Sequence, residues 1–418
     1  MDKVLKKETI YLYIVLGANF LLPLITIPYL TKVLGLSGFG LFGYSQTIFL
    51  LFTFFIEFGF TLTGARSISI YSSDQNKINE IYSSIQVVRF LIYLLIFVLI
   101  SLFLSFANIV DVEKNIIYLS LICAFSAILI PNFLFNGLAK NSILAFVTVI
   151  LKIIFLLPIF IFVKNEKDIL LACFFQLFPN LLVGLVIQYI IWKKNFAIFS
   201  FKKIKSSICI LESKRALDNF IASFFTLSFT YFTPLLVKYA LGNSALGLYT
   251  IIDKLINVLR QLYNPLTQAF FSKLSILYIE EQKKDFIDLL SKVALLFILI
   301  GISVFFGNLL LGDIILPILL GRNYHLTYLL SIAIMTQLVV SMALILVNFI
   351  IIPSDNSYIL KKIYFIAMLI YLPISLYAVK YFELQGVLYS MLFLEIGITF
   401  YLARFCQKKM LLGHNFFK

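Results

Sequence analysis

Seven ionisable residues lie inside long apolar runs of this sequence, and their types set the chemistry available there. They are Glu57, Arg89, Lys152, Asp253, Lys254, Arg260 and Glu395. Lys152, Arg260 and Glu395 fall near the middle of their runs, whereas Arg89 and Asp218 fall near run ends, where a side chain can snorkel to water. A charge in a hydrocarbon environment costs several kcal/mol, so each needs a partner or a purpose. Unpaired cations there attract anionic groups, which makes Lys152 and Arg260 candidate anion binders, with Arg89, Lys254 and Asn257 in support. The embedded carboxylates Glu57, Asp253 and Glu395 are candidates to take up a proton or a small cation. The structural alternative is permanent pairing, for instance of Arg260 with Asp253 or Glu395.

Spacing groups these residues. Asp253, Asn257, Arg260 and Asn264 follow i, i+4, i+7, i+11, which is one narrow helix face. Gln46, Thr53 and Glu57 repeat that pattern earlier in the chain, and Asn219, Ser223, Thr226, Thr230 and Thr233 form a third stripe. Lipid cannot solvate such faces, so they must line protein or water. Hydroxyl and amide side chains also serve as interhelical glue.

Other chemistry is poorly supported. There is no Gly-x-x-x-x-Gly-Lys-Ser/Thr phosphate loop and no Gly-x-Ser-x-Gly elbow. Asp111-Val112-Glu113 places two carboxylates together, but on a short solvated loop. His325 and His414 are too few and too far apart for a metal site. Cys123, Cys173, Cys209 and Cys406 show no paired spacing and read as free thiols. We expect no cofactor and no resident metal.

The elements that position these residues are apolar helices. Of 418 residues, 61% are hydrophobic and 13% charged, with mean hydropathy +1.02. Ordinary soluble domains carry about 25% charged residues. Twelve runs reach the length of about 20 residues that crosses a bilayer: 10–31, 39–63, 84–107, 115–138, 142–163, 169–192, 216–239, 246–271, 290–311, 326–352, 363–380 and 386–405. The stretch 312–320 is apolar but too short to span and is expected at the interface. The first run follows Lys3, Lys6 and Lys7. Its length, and the lack of an Ala-x-Ala site after it, argue for a retained span rather than a cleaved signal. The net charge of +14 would suggest nucleic acid in a soluble protein. Here it sits in short connections, 23 Lys and Arg on one side against 7 on the other, which predicts both termini in the cytoplasm. The basic segment 193–215 is the longest connection. It faces anionic headgroups as a topology signal, or docks an anionic lipid substrate.

The chain also repeats itself. Leu34-Gly35-Leu36-Ser37-Gly38-Phe39-Gly40-Leu41-Phe42 matches Leu241-Gly242-Asn243-Ser244-Ala245-Leu246-Gly247-Leu248-Tyr249 at five positions. Gln75 and Lys77 recur at the same offset of 207 as Gln282 and Lys284. The expected architecture is therefore all-α, a polytopic membrane protein of 12 transmembrane helices in two six-helix lobes, 1–200 and 201–418. Parallel repeats of this kind place a substrate site between lobes near the midplane. Pro28 and Pro234 precede the repeated motif in both copies. Each bends its helix and is a candidate hinge.

The run Pro28-Tyr29-Leu30-Thr31-Lys32-Val33-Leu34-Gly35, followed by Phe39-Gly40 and Phe58-Gly59, resembles the bacterial polysaccharide exporters. The specific likeness is to the O-antigen flippase (Wzx) branch of the multidrug/oligosaccharidyl-lipid/polysaccharide flippase superfamily. Where many relatives carry arginine, this chain has Lys32, which keeps the charge without the planar fork. The resemblance implies a transporter, not an enzyme. It implies movement of an undecaprenyl-diphosphate-linked oligosaccharide from the cytoplasmic to the periplasmic leaflet of the inner membrane; without a phosphate loop, the energy would come from an ion gradient or from consumption of product outside. It also implies membrane lipid, a polysaccharide polymerase and a chain-length regulator as partners. Lys152 and Arg260 would then meet the diphosphate. The alternatives are another cargo on the same fold, such as a capsule or cell-wall lipid precursor or a drug, or a membrane polymerase or glycosyltransferase. The enzymes typically carry a long outer loop that this chain lacks.

Overall fold

The computed structural model describes residues 3–280, 282–322, 324–354, 356 and 358–411, with side chains described between 25 and 408 except at 279. The described residues are helical almost throughout. The helices are α1 (Lys3–Glu57), α2 (Phe60–Ile70), α3 (Gln75–Phe106), α4 (Asp111–Ala124), α5 (Ser126–Leu129), α6 (Asn132–Gly137), α7 (Asn141–Phe162), α8 (Ile169–Lys193), α9 (Ser206–Ile279), α10 (Lys283–Leu320), α11 (Thr327–Leu346) and α12 (Tyr358–Leu411). Among the described residues, nine helical stretches are long and apolar enough to cross a membrane. The chain is a multi-pass membrane protein.

Three helices are far too long for one crossing. α1 has 55 residues, α9 has 74 and α12 has 54, against about 20 for a hydrocarbon core of about 30 Å. Each is interrupted inside by one residue off the helical conformation. In α1 it is Gly35 (φ 66°, ψ −179°) and in α9 it is Gly242 (φ 86°, ψ −177°). That region of backbone space is essentially closed to side chains with a Cβ. The two glycines are the same position of the repeated motif, so the repeat written in the sequence is a repeated chain break. In α12 the interruption is Glu383 (φ 49°, ψ −134°), a residue with no such freedom. Helical backbone continues through Pro28 and Pro234; the sharp breaks come at the glycines that follow them.

Two other spans are discontinuous. After Glu57 the left-handed pair Phe58 and Gly59 separates α1 from α2. A Cβ on Gly59 would stand 2.5 Å from the Ala216 carbonyl oxygen, so the glycine also permits close helix contact. The fourth span is cut at Phe125 and again at Ile130–Pro131, giving α4, α5 and α6. The segment 312–320, expected at the interface, is helical and continues α10 to its end. The tenth span ends in a short π-helix, Val347–Ile351.

The chain gathers into two compact units, Met1–Leu227 and Ser228–Lys418. The first part of α9 thus belongs to unit 1, beyond the expected boundary at 200/201. Ala216 joins Phe60, Ile81, Phe133, Val183 and Ile187 in its core. The basic connection before it is strapped to α3. Lys205 pairs with Glu80 at 2.7 Å, Lys203 donates to Asn76, and the amides of Ile198 and Ser200 donate to Asn79 and Ser83. No disulfide forms: all four cysteines are free.

Candidate functional site

In unit 1 the embedded charges gather at the helix breaks. Pro131 has no N–H to give, and the chain leaves the helix around it. The carbonyls of Ala127, Ile128 and Leu129 are released in a place where lipid offers no donor. Three side chains supply one each. The Arg89 guanidinium donates to Ala127, the Gln86 amide to Ile128 at 2.8 Å and the Gln188 amide to Leu129 at 2.7 Å. Arg89 also donates to Gln86 Oε1 at 2.9 Å and lies over the Phe133 ring. At 1% exposure it does not snorkel, contrary to the expectation from its place in the sequence. It is an internal clamp on the broken span.

Glu57 ends α1, and Asn132 opens α6. The Asn132 amide donates to Glu57 Oε1 at 2.6 Å, and Glu57 lies within electrostatic reach of Arg89. Two chain breaks, a carboxylate and a buried arginine therefore meet within one unit.

Lys152 stands apart. It lies at the middle of α7, half-buried, and makes no hydrogen bond or ion pair among the described residues. It is a cation inside the membrane without a counter-ion of its own.

In unit 2 the polar stripe forms a connected line on α9. Asn257 donates to Asp253 Oδ2 at 3.1 Å, and Arg260 donates to Asn257 Oδ1 at 3.0 Å. Arg260 Nε donates to Gln337 Oε1 of α11 at 2.8 Å. Arg260 is half-buried and forms no ion pair among the described residues. Glu395 on α12 lies within its electrostatic reach without touching it. Permanent pairing of Arg260 with Asp253 is absent here, because an asparagine stands between them. Lys254, also on α9, is half-buried and is not without a partner. Asn264, the last member of the stripe, is exposed and outside the line. In the third stripe the Thr233 hydroxyl meets the Tyr371 hydroxyl at 2.8 Å, the glue role expected of such residues.

Neutral residues completed both networks. Gln86, Asn132, Gln188 and Gln337 were invisible to a search for charges, although an amide within an apolar run is itself a signal. Pro131 marks the break they serve.

The sequence profile of the family described as "Polysaccharide biosynthesis protein" matches residues 5–275. The chain belongs to that family. The resemblance drawn from Pro28–Gly35 and Phe58-Gly59 pointed the same way. A Shigella dysenteriae protein named "Putative O-antigen transporter" is 28% identical over 405 residues, covering 96% of this chain and 99% of that protein. A protein of the same name from Escherichia coli (strain K12) is 29% identical over 329 residues, covering 77% and 76%. Among solved structures, an inward-facing multidrug resistance MATE family transporter of the MOP superfamily aligns with TM-score 0.70 at 12% identity, over 93% of this chain and 98% of that one. A MATE transporter from Vibrio cholerae aligns with TM-score 0.62 at 13% identity, over 99% and 98%. The fold of this family member is the MATE-like all-helical membrane fold.

Proposed function

We propose that this chain is a transporter, not an enzyme. It moves an undecaprenyl-diphosphate-linked oligosaccharide, an O-antigen repeat unit, from the cytoplasmic to the periplasmic leaflet of the inner membrane. Family membership and the transporter names of its relatives support the class. The observation that carries the anionic, lipid-linked cargo is the state of two cations. Lys152 has no partner among the described residues, and Arg260 is oriented by neutral amides alone. A cation kept in the membrane without a carboxylate binds an incoming anion strongly, because nothing local competes for it. A drug or cation exporter would be served by carboxylates in those places.

In this reading Arg260 is the contact for the anionic part of the cargo in unit 2, with Asn257 orienting it and Lys254 adding positive potential, and Lys152 is the cationic contact that unit 1 offers. Arg89 contributes by holding the broken span rather than by touching cargo. Glu57, Asp253 and Glu395 are the candidates for the coupling ion. Pro28 and Pro234 are the hinges, with Gly35 and Gly242 as the joints behind them. Reading α1, α9 and α12 as two spans each yields twelve crossings in two lobes, with both termini in the cytoplasm. Reporter fusions after Lys114, Lys167 and Arg322 then report outside, and those after Lys77, Lys203 and Lys283 inside. Reversal at two of these sites would overturn the orientation.

The deciding experiment measures surface glycan and detergent-solubilised melting together. Arg260→Gln and Lys152→Ala each leave melting in place and lower glycan export about tenfold, the worth of one charge-assisted contact. Arg260→Lys retains part of the export. Normal glycan in folded Lys152→Ala and Arg260→Gln variants would remove both residues from the cargo path.

A further inference from the structure

We infer that the groove between the two segments of α12 holds the isoprenoid tail of the anionic lipid-linked cargo, with Lys362 on its phosphate end. The inference rests on the transport reading above and gives that cargo a loading site, occupied before its anionic end moves on to the embedded cations. The two segments, on either side of Glu383, enclose a cavity of about 290 Å³. Ile366 and Ile370 line one wall, Phe393 and Tyr401 the other, and all four are exposed. Gly397 forms the notch: a Cβ built on it meets nothing within 4 Å. In a membrane, an apolar slot of this kind is covered by an apolar chain, since water gains nothing by entering it.

Position and charge select the chain. Lys362 stands at the end of the groove next to the 353–362 connection, on the side the basic connections assign to the cytoplasm. From Lys362 to Ile370 the helix rises about 12 Å, close to the depth of one leaflet's hydrocarbon. The groove therefore occupies the leaflet in which the cargo starts. Lys362 is exposed and forms no ion pair among the described residues, and Lys361, next to it in the chain, and Arg404, three positions after the lining residue Tyr401, are exposed as well. Arg404 rests over the Phe400 ring. This concentration of positive charge complements a doubly ionised diphosphate better than the single charge of a phospholipid headgroup.

The test uses the full chain in phosphatidylcholine nanodiscs and an undecaprenyl diphosphate with a photoreactive tail. Cross-links are expected on α12 between residues 363 and 401. Gly397→Leu fills the notch with a better helix former, so the helix keeps its stability while labelling falls about tenfold. Lys362→Gln lowers it about threefold, the worth of one exposed ion pair. An equal mole fraction of phosphatidylglycerol leaves the wild-type labelling in place. Three results would each overturn the inference: unchanged labelling in a Gly397→Leu variant that melts like wild type, displacement by phosphatidylglycerol, or full glycan export from a Gly397→Leu variant that no longer labels. Absence of glycan export by the wild-type chain, with tail labelling intact, would instead overturn the transport reading and leave the lipid site standing.

Discussion

Unit 1 and unit 2 each place an arginine in the membrane beside a glutamine, with a carboxylate at a distance, and use it differently. Arg89 is fully buried at a broken helix, and its guanidinium donates to a backbone carbonyl. Arg260 is half-buried on an unbroken segment and touches only side-chain amides. A guanidinium spent on main-chain oxygen cannot leave without stranding it, so Arg89 belongs to the scaffold. One held by amides keeps its charge for an anion, because glutamine and asparagine orient it without neutralising it. Residue type is alike in the two units; the partner decides the role.

The largest effect should come from breaking the scaffold side. Arg89→Leu strands the Ala127 carbonyl and Gln86 Oε1, and should cost about 3 kcal/mol, seen as lost folded protein in the membrane. Arg260→Leu strands the Gln337 side-chain oxygen but no main-chain group, and should cost less, about 1 kcal/mol. Equal abundance of both variants would erase the contrast between the units.

The next effect tests the shared joint. Gly242→Ala has room for its methyl group, so its cost is purely conformational, about 2 kcal/mol, read as a lower melting temperature. Gly35→Ala should cost somewhat more, because its Cβ would also stand 3.1 Å from Glu166 Oε1. Melting unchanged in both would mean that neither break is needed.

A smaller effect distinguishes the carboxylates. Asn132→Ala removes the donor to Glu57 and should cost about 1.5 kcal/mol. Asn257→Ala unties Asp253 from Arg260 at a half-buried position and should cost less in stability than in export. The smallest change is a gain. Glu383→Gly relieves a positive φ at the third break and should raise stability by about 0.5 kcal/mol, the strain relieved less the entropy of glycine.

Much of the fold was legible because hydrophobic length and glycine chemistry are local. Apolar runs of about 20 residues announce helices that cross a membrane, and the Leu-Gly motif at 34–35 and 241–242 announced a repeat, although the hinges were expected at the prolines before it and not at the glycines where the backbone breaks. The stripe of Asp253, Asn257 and Arg260 was legible too, since helical spacing alone puts those residues on one face. The breaks at 125–131 were not. An apolar run with one proline reads the same whether the helix bends or parts, and the outcome depends on donors that arrive from α3 and α8.

The sequence by itself therefore determined that this is an all-helical membrane protein with an internal repeat and charges placed inside the bilayer. Only the tertiary structure decided what those charges do. Arg89 was expected to reach water, because run position gives depth but not neighbours. It is buried because carbonyls 127–129 needed donors, and that need exists only once the fourth span has opened beside α3.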